Sequence, residues 1–387
     1  MSADSPLARR IASRLDRWEQ DGLLRTLRSP DGVDLSSNDY LGLARDPRLV
    51  RAFTGAAERE GVGSTGSRLL RGEREGFSAI ERRFAAFKGT ERALYFSSGY
   101  LANIAVLTTL AEEGDLIFSD ALNHASLIDG VRLSRAKAVV VPHGNVHALS
   151  AELHRRPCAG IRFVVVESVY SMDGDCAPLA ELAAACRQHG AVLIVDEAHA
   201  VGVFGERGTG LIEHAGLDAR DVLSINTAGK ALGVAGAFVA GPASSVDYLI
   251  QRARPFVFST AAPPAVADAI EASLALVRSE PWRRIRLLEL AAHLRQALAA
   301  AGVHAGPGSS QIVPVLVGDN ARAVAIAKRL NADGFDVRAI RPPSVPEGTA
   351  RLRVSLNAGL DETTLDRFAR AASSAFREAG LCSAASS

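Results

Sequence analysis

Between residues 93 and 240 the chain repeats one alternation, a short apolar run followed by a longer stretch with helical periodicity. The runs fall at 93–96, 116–118, 138–141, 163–166, 192–195, 222–225 and 237–240. They are continuously apolar apart from Ser224 in the sixth, so each predicts a strand buried on both faces. Residues 179–189 predict a helix that stops at Gly190, where glycine accommodates the left-handed turn that ends a helix. Buried strands separated by helices predict an α/β fold with a mostly parallel central sheet. Ligands in such sheets lie outside the carboxyl ends of the strands. Asp120, Glu167, Asp196 and Asn226 each follow closely on such an end.

The flanks read differently. Residues 6–28 predict an Arg-rich amphipathic helix with Leu7, Ile11, Leu15 and Trp18 near helical spacing. The last third predicts a long helix over 283–301, a strand over 312–317, a helix over 321–330, and strands near Val337 and Leu352. That is the pattern of a second, smaller α+β domain. The expected division is a large domain over 51–275 and a small one over 276–387, with residues 1–50 packing on the small domain through 36–43.

A chain of 387 residues is long enough for about two such domains. Lys plus Arg number 44 and Asp plus Glu 43, a net charge of +1 that argues against a nucleic-acid binder. No apolar run approaches the roughly 18 residues of a membrane span, and the N-terminus lacks the apolar core of a signal peptide. Cys158, Cys176, Cys186 and Cys382 show no paired spacing, so a reduced cytoplasmic protein is expected.

Two motifs point to chemistry that their context does not support. Gly61, Gly63 and Gly66 match a dinucleotide fingerprint, but the residues before them read as helix rather than strand. His143, His147 and His154 lack the partners of a metal site and read as solvated surface residues.

The stronger constellation starts at Lys230, which sits among Ala228, Gly229, Ala231 and Leu232. Small neighbours desolvate the amine, which lowers its pKa and suits it to link an aldehyde. Asp196 ends the run 192–195 as a buried carboxylate in need of a cationic or hydrogen-bonding partner. A protonated pyridine nitrogen would satisfy it, as would a cap on the following turn. His199 lies three residues on, and Thr227 three before Lys230, with a hydroxyl suited to a phosphate. Residues 97–103 follow a strand and open a helix, a start that favours an anion. His124 follows another strand end.

With these residues in hand, the chain resembles the α-oxoamine synthases, pyridoxal-phosphate-dependent enzymes of fold type I, the aspartate-aminotransferase-like fold. The resemblance runs from 36–42 to 351–355. It is most specific at Ser171, Met172, Asp173, Gly174 and Asp175, at 196–202 and at 227–230. It implies pyridoxal 5'-phosphate linked to Lys230 as a Schiff base, with Asp196 on the ring nitrogen, His199 on the ring oxygen and His124 stacked over the ring. Gly99 and Tyr100 would line the cofactor, with Ser171 and Thr227 near it. Ser259 and Thr260 would reach the phosphate of a neighbouring subunit, which implies a homodimer. Arg353 would hold the amino-acid carboxylate, Asn38 and Ser355 would lie on the substrate side, and Arg25 or Arg28 would meet the acyl substrate. Residues 36–42, 63–68 and 341–346 are similar to the branch that joins L-alanine to a pimeloyl thioester. The alternatives are the glycine-using synthases, then serine palmitoyltransferase, and outside the family a non-catalytic cofactor fold or an NAD-binding protein.

Overall fold

The computed structural model describes residues 5–381. Packing divides the chain into two compact units, one of residues 1–37, 172–174 and 287–387, the other of 38–171 and 175–286. The boundaries therefore fall at 37/38 and 286/287, where the sequence pattern suggests 50/51 and 275/276.

Helix α1 (Pro6–Gln20) begins at Ser5, whose side chain accepts from the Ala8 N–H. It ends eight residues short of the expected 28. Gly22, at φ +64°, takes the left-handed conformation and turns the chain back, so that the Leu23 N–H bonds the Trp18 carbonyl. A pattern of apolar spacing continues past such a turn, but the helix cannot. The two-residue strand β1 (Val33–Asp34) follows, then helices α2 (Pro47–Glu60) and α3 (Glu75–Lys88).

The larger unit is built on a seven-stranded sheet. Along the chain its elements are β2 (Arg92–Phe96), α4 (Gly99–Leu110), β3 (Leu116–Asp120), α5 (Ala125–Leu133), β4 (Lys137–Val141), α6 (Val146–Arg155), β5 (Arg162–Glu167), α7 (Leu179–His189), β6 (Ala191–Asp196), α8 (Leu211–His214), β7 (Leu223–Thr227), β8 (Ala237–Gly241), α9 (Ala243–Arg252), α10 (Arg254–Val257) and α11 (Ala265–Ser279). The strand order is β2-β8-β7-β6-β5-β3-β4. Strand β8 runs antiparallel to both its neighbours and the other pairings are parallel. The expected mostly parallel α/β sheet is the observed one, and each of the seven apolar runs is a strand.

The reason is visible in the burial. Strands β3, β7 and β8 are buried along their whole length, whereas Val140 on the edge strand β4 is exposed. Helix α4 is apolar nearly all round and lies in the core, with Ala102, Ala105, Val106 and Leu107 packed among Leu94, Ile117, Ile194 and Val239. Because six strands share one direction, the ends of β2, β3, β5, β6 and β7 lie on one edge of the sheet. That edge carries Ser98, Asp120, Glu167, Asp196 and Thr227.

Helix α12 (Trp282–Ala300) contains the division between the units. The smaller unit continues with β9 (Ile312–Gly318), α13 (Asn320–Ala332), β10 (Phe335–Asp336), β11 (Arg338–Ile340), β12 (Ala350–Ser355) and α14 (Glu362–Glu378). Strands β11, β12 and β9 form an antiparallel sheet, and β1 pairs with β10. Helix α14 buries Leu365, Phe368, Ala372 and Phe376 as one stripe. Residues 172–174 belong to this unit through specific bonds: Asp173 pairs with Arg351, and the Ser310 hydroxyl donates to the Gly174 carbonyl at 2.6 Å. Gly174 has φ +68°, and a Cβ there would stand 2.3 Å from the Ile312 carbonyl oxygen, so no other residue fits.

The motif 61–66 follows helix α2, and the next helix begins only at Glu75, so the strand–turn–helix of a dinucleotide site is absent there. The segment is a loop fixed by the Ser64 hydroxyl on the Ala262 carbonyl and by the Ala261 N–H on the Gly66 carbonyl. Cys158, Cys176 and Cys186 form no disulfide, and Cys382 lies outside the described residues. No helix among the described residues is long and apolar enough to cross a membrane.

Candidate active site

Asp196 is the last residue of β6 and is buried. One carboxylate oxygen accepts from the Ala198 N–H at 2.8 Å and the other from the Asn103 side-chain amide at 2.7 Å. Asn103 also donates to the Ser126 hydroxyl at 2.9 Å, and that hydroxyl lies 2.7 Å from His124 Nδ1. Nδ1 accepts from the Ser126 N–H as well. With Nδ1 an acceptor, the imidazole proton sits on Nε2, which becomes a donor. Burial, and after it the positive charge of Lys230, holds the His124 pKa below its ordinary value despite the attraction of Asp196. His124 is thus a neutral imidazole presenting an N–H.

Asn103 was not singled out by the sequence pattern. The signal for it is a lone amide in the otherwise apolar stretch 101–107, where burial demands a partner.

Strand β7 ends at Thr227 and passes into a tight loop. The Thr227 hydroxyl donates to the Gly236 carbonyl at 3.1 Å and accepts from the Gly229 N–H at 3.1 Å. The Gly233 N–H bonds the Lys230 carbonyl at 2.8 Å. Ala228, Ala231 and Leu232 are buried around the lysine. Lys230 Nζ lies 2.6 Å from His199 Nε2, and His199 Nδ1 lies 2.6 Å from the Tyr40 hydroxyl. That hydroxyl is 3.0 Å from Asn38 Oδ1.

Glu167, at the end of β5, is buried beside Asp196 in the parallel register. Burial first, then the charge of Asp196, pushes its pKa up to about 8, and the main-chain N–H groups of His124 and Ser171 point to its carboxyl group. At neutral pH its carboxyl group is held protonated beside that of Asp196. Tyr100 opens helix α4 half-exposed, bonds Asp129, and meets the His124 ring edge-on at 6.5 Å between centroids. A Cβ on Gly99 would stand 3.9 Å from Thr227 Oγ1, so a side chain there would occupy the space in front of that hydroxyl.

One edge of the sheet thus brings together Gly99, Tyr100, His124, Ser171, Asp196, His199, Thr227 and Lys230, with Asn38 joined to them through Tyr40. Ser259 and Thr260 follow α10 on a partly exposed stretch. In the smaller unit, Arg353 and Ser355 lie on β12, both buried, with the Arg353 guanidinium 3.5 Å from the Ser355 hydroxyl. Arg28 is paired with Asp336 at 3.0 Å, whereas Arg25 donates to the Ser344 hydroxyl at 3.3 Å. Arg341 nearby has its pKa lowered by burial and by the charge of Arg25. Arg341 also donates to the Gly22 carbonyl, so two guanidinium groups share this part of the smaller unit.

His143 corrects the expectation of a solvated surface histidine. It is half-buried, with Nδ1 2.9 Å from Asp120 and Nε2 2.9 Å from Asp175, and it meets the Tyr170 ring edge-on. Hydrogen bonds to the two carboxylates raise its pKa to about 10. A raised folded pKa gives stability that is full below the unfolded value near 6.5 and is lost as pH rises through about 10. The stability difference between the wild type and His143→Gln in urea is expected to shrink steadily over that window. A pH-independent difference would contradict the assignment. Among the described residues no group of three or more His, Cys, Asp or Glu could hold a metal.

Residues 30–371 match the family described as aminotransferase class I and II. The chain belongs to that family. It is 46% identical to the 8-amino-7-oxononanoate synthase of Geobacter sulfurreducens, over 97% of this chain and 100% of that one. Among solved structures, a serine palmitoyltransferase from S. paucimobilis with bound PLP is similar at a TM-score of 0.90 and 31% identity, covering 97% of this chain and 100% of its own. The 8-amino-7-oxononanoate synthase of Francisella tularensis is similar at a TM-score of 0.78 and 28% identity, covering 90% and 98%.

Pyridoxal phosphate is the cofactor of this fold, and the residues present fit it. Lys230 supplies an amine bedded in small residues, and Asp196 a buried carboxylate at a strand end. The start of α4, open in front of Thr227 because residue 99 is glycine, supplies backbone N–H groups for a phosphate.

Proposed function

We propose that this chain joins L-alanine to a pimeloyl thioester, forming the carbon–carbon bond of 8-amino-7-oxononanoate and releasing CO₂ and the free thiol, the carrier being coenzyme A or a carrier protein. The observation that carries this reading is the near full-length likeness to 8-amino-7-oxononanoate synthases at 44–49% identity. Pyridoxal phosphate held by Lys230 and Asp196 supplies an electron sink for negative charge at the amino-acid Cα. The side chains supply the rest. Lys230 Nζ would hold the cofactor, and as a free amine it would accept the Cα proton. His199 Nε2, 2.6 Å from that amine, receives or returns the proton. His124, neutral with its proton on Nε2, donates to the oxyanion that develops as the thioester carbonyl is attacked. Asp196 keeps the ring nitrogen protonated. Ser171 and His199 serve the cofactor's oxygen substituents, and Gly99, Tyr100 and Thr227 its ring and phosphate.

In the smaller unit, Arg353 is assigned to the amino-acid carboxylate, Ser355 to the same side, and Arg25 to the acyl substrate. Ser259 and Thr260 are assigned to the phosphate of the partner in a homodimer.

A second reading, a serine-using synthase, is favoured by the TM-score of 0.90 to a serine palmitoyltransferase. The backbone of this fold is shared by both activities, so the higher sequence identity decides between them. Thiol release with alanine, glycine and serine, each paired with pimeloyl and palmitoyl thioesters, separates the readings. Alanine with the pimeloyl thioester is expected to exceed the other pairs by at least about tenfold in kcat/KM. Better turnover of serine with the palmitoyl thioester, or of glycine, would overturn the assignment.

A further inference from the structure

We propose that Tyr40 is a positioning residue of this site: its hydroxyl sets which nitrogen of His199 carries the proton, and through it the proton affinity of the nitrogen facing Lys230. The proposal rests on the reading of Lys230 as the cofactor-bearing amine.

The geometry is a chain of four side chains. Lys230 Nζ to His199 Nε2 is 2.6 Å, His199 Nδ1 to the Tyr40 oxygen is 2.6 Å, and the Tyr40 oxygen to Asn38 Oδ1 is 3.0 Å. Tyr40 is 0% exposed and His199 4%, so water does not replace either partner. An amide oxygen only accepts. The single phenolic proton therefore goes to Asn38, and the Tyr40 oxygen accepts from the Nδ1–H of His199. Nε2 is left with its lone pair toward the Lys230 amine, which donates. Every link then donates in one direction, from Lys230 to Asn38.

A phenol can also reverse. When the site presents an acceptor to His199, the Tyr40 O–H turns to Nδ1 and Nε2–H becomes the donor. Tyr40 thus lets one imidazole either accept a proton from the site or supply a hydrogen bond to it, with no unpaired nitrogen in either state. Phenylalanine would fill the same volume and do neither. The buried ring nitrogen would then lose its hydrogen bond to the phenol, which disfavours the tautomer that needs it. Glu167 and His124 also feel the charge of Lys230, and neither belongs to the chain of bonds to Tyr40. Sequence spacing gives no sign of the contact, since 159 residues separate Tyr40 from His199.

The test is Tyr40→Phe in the cofactor-loaded protein, alone and in a His199→Gln background. The pH midpoint of the cofactor's visible absorbance is expected to move by about one unit. The kcat should fall about tenfold while KM for the amino acid changes less than about threefold. In the His199→Gln background the same replacement should add almost nothing, because the hydroxyl acts through that ring. An unchanged absorbance titration in Tyr40→Phe would overturn the proposal, as would full additivity in the double variant. Should the variant fold poorly, ¹⁵N spectra of wild-type His199 serve instead. In any one ligand state a single tautomer supports the relay, and free exchange between two within that state refutes it. A wild type with no visible cofactor band at all would overturn the cofactor reading itself, a distinct result.

Discussion

Lys230→Ala is expected to abolish the cofactor's visible absorbance and to lower kcat at least about a thousandfold. The expectation follows from the two tasks given to one nitrogen. It binds the cofactor covalently and it accepts the Cα proton, so its removal deletes both anchorage and base. The fold should survive, because Lys230 is only partly buried and the loop is held by main-chain bonds from Gly233 to Lys230 and from Val234 to Ala228. Exogenous amines should restore part of the proton transfer. Melting of the variant at the wild-type temperature, together with lost absorbance, separates a chemical role from a structural one. Retained absorbance in Lys230→Ala would contradict the assignment.

The second large effect is on stability. Lys88, the last residue of α3, is buried and pairs with Glu197, itself fully buried, and its amine lies 2.5 Å from the Thr209 carbonyl. Glu197 also accepts the Ile212 N–H at 3.0 Å. Lys88→Met leaves that carboxylate buried beside an apolar group, a change expected to cost about 3–5 kcal/mol. Lys88→Met with Glu197→Gln removes the stranded charge and should recover most of the loss. The turn that follows Asp196 starts at Glu197 and carries His199, so the single variant should also hold its cofactor less tightly than the double. Denaturant unfolding of the three proteins, with cofactor dissociation measured alongside, checks both points. A single-variant loss below about 1 kcal/mol would show the pair to be incidental.

Much of the sheet was legible because its strands are buried on both faces, and a run such as 192–195 has no other stable use than a central strand. The end of α7 was legible for the same kind of reason, since Gly190 takes the left-handed conformation at φ +60°. The end of α1 was not. Apolar spacing continued past Gly22, and which glycine breaks a helix is decided by where the chain must go next. Asp196, His199, Thr227 and Lys230 could be chosen because each lies just beyond an apolar run, where this topology places ligands. Ser126 and Tyr40 could not, because their roles come from contacts made across the fold. His143 misled for that reason too: a histidine after a strand reads as solvated until Asp120 and Asp175 are seen on either side of it. The Lys88–Glu197 pair, 109 residues apart, leaves no mark in spacing or composition.

The central claim is that Lys230, and no other amine, carries the cofactor. The chain has three further lysines, Lys88, Lys137 and Lys328. Borohydride reduction of the purified protein followed by peptide mass mapping tests the claim directly. The predicted result is a single pyridoxyl-phosphate adduct on the peptide containing Lys230. An adduct on one of the other lysines, or none, would contradict it.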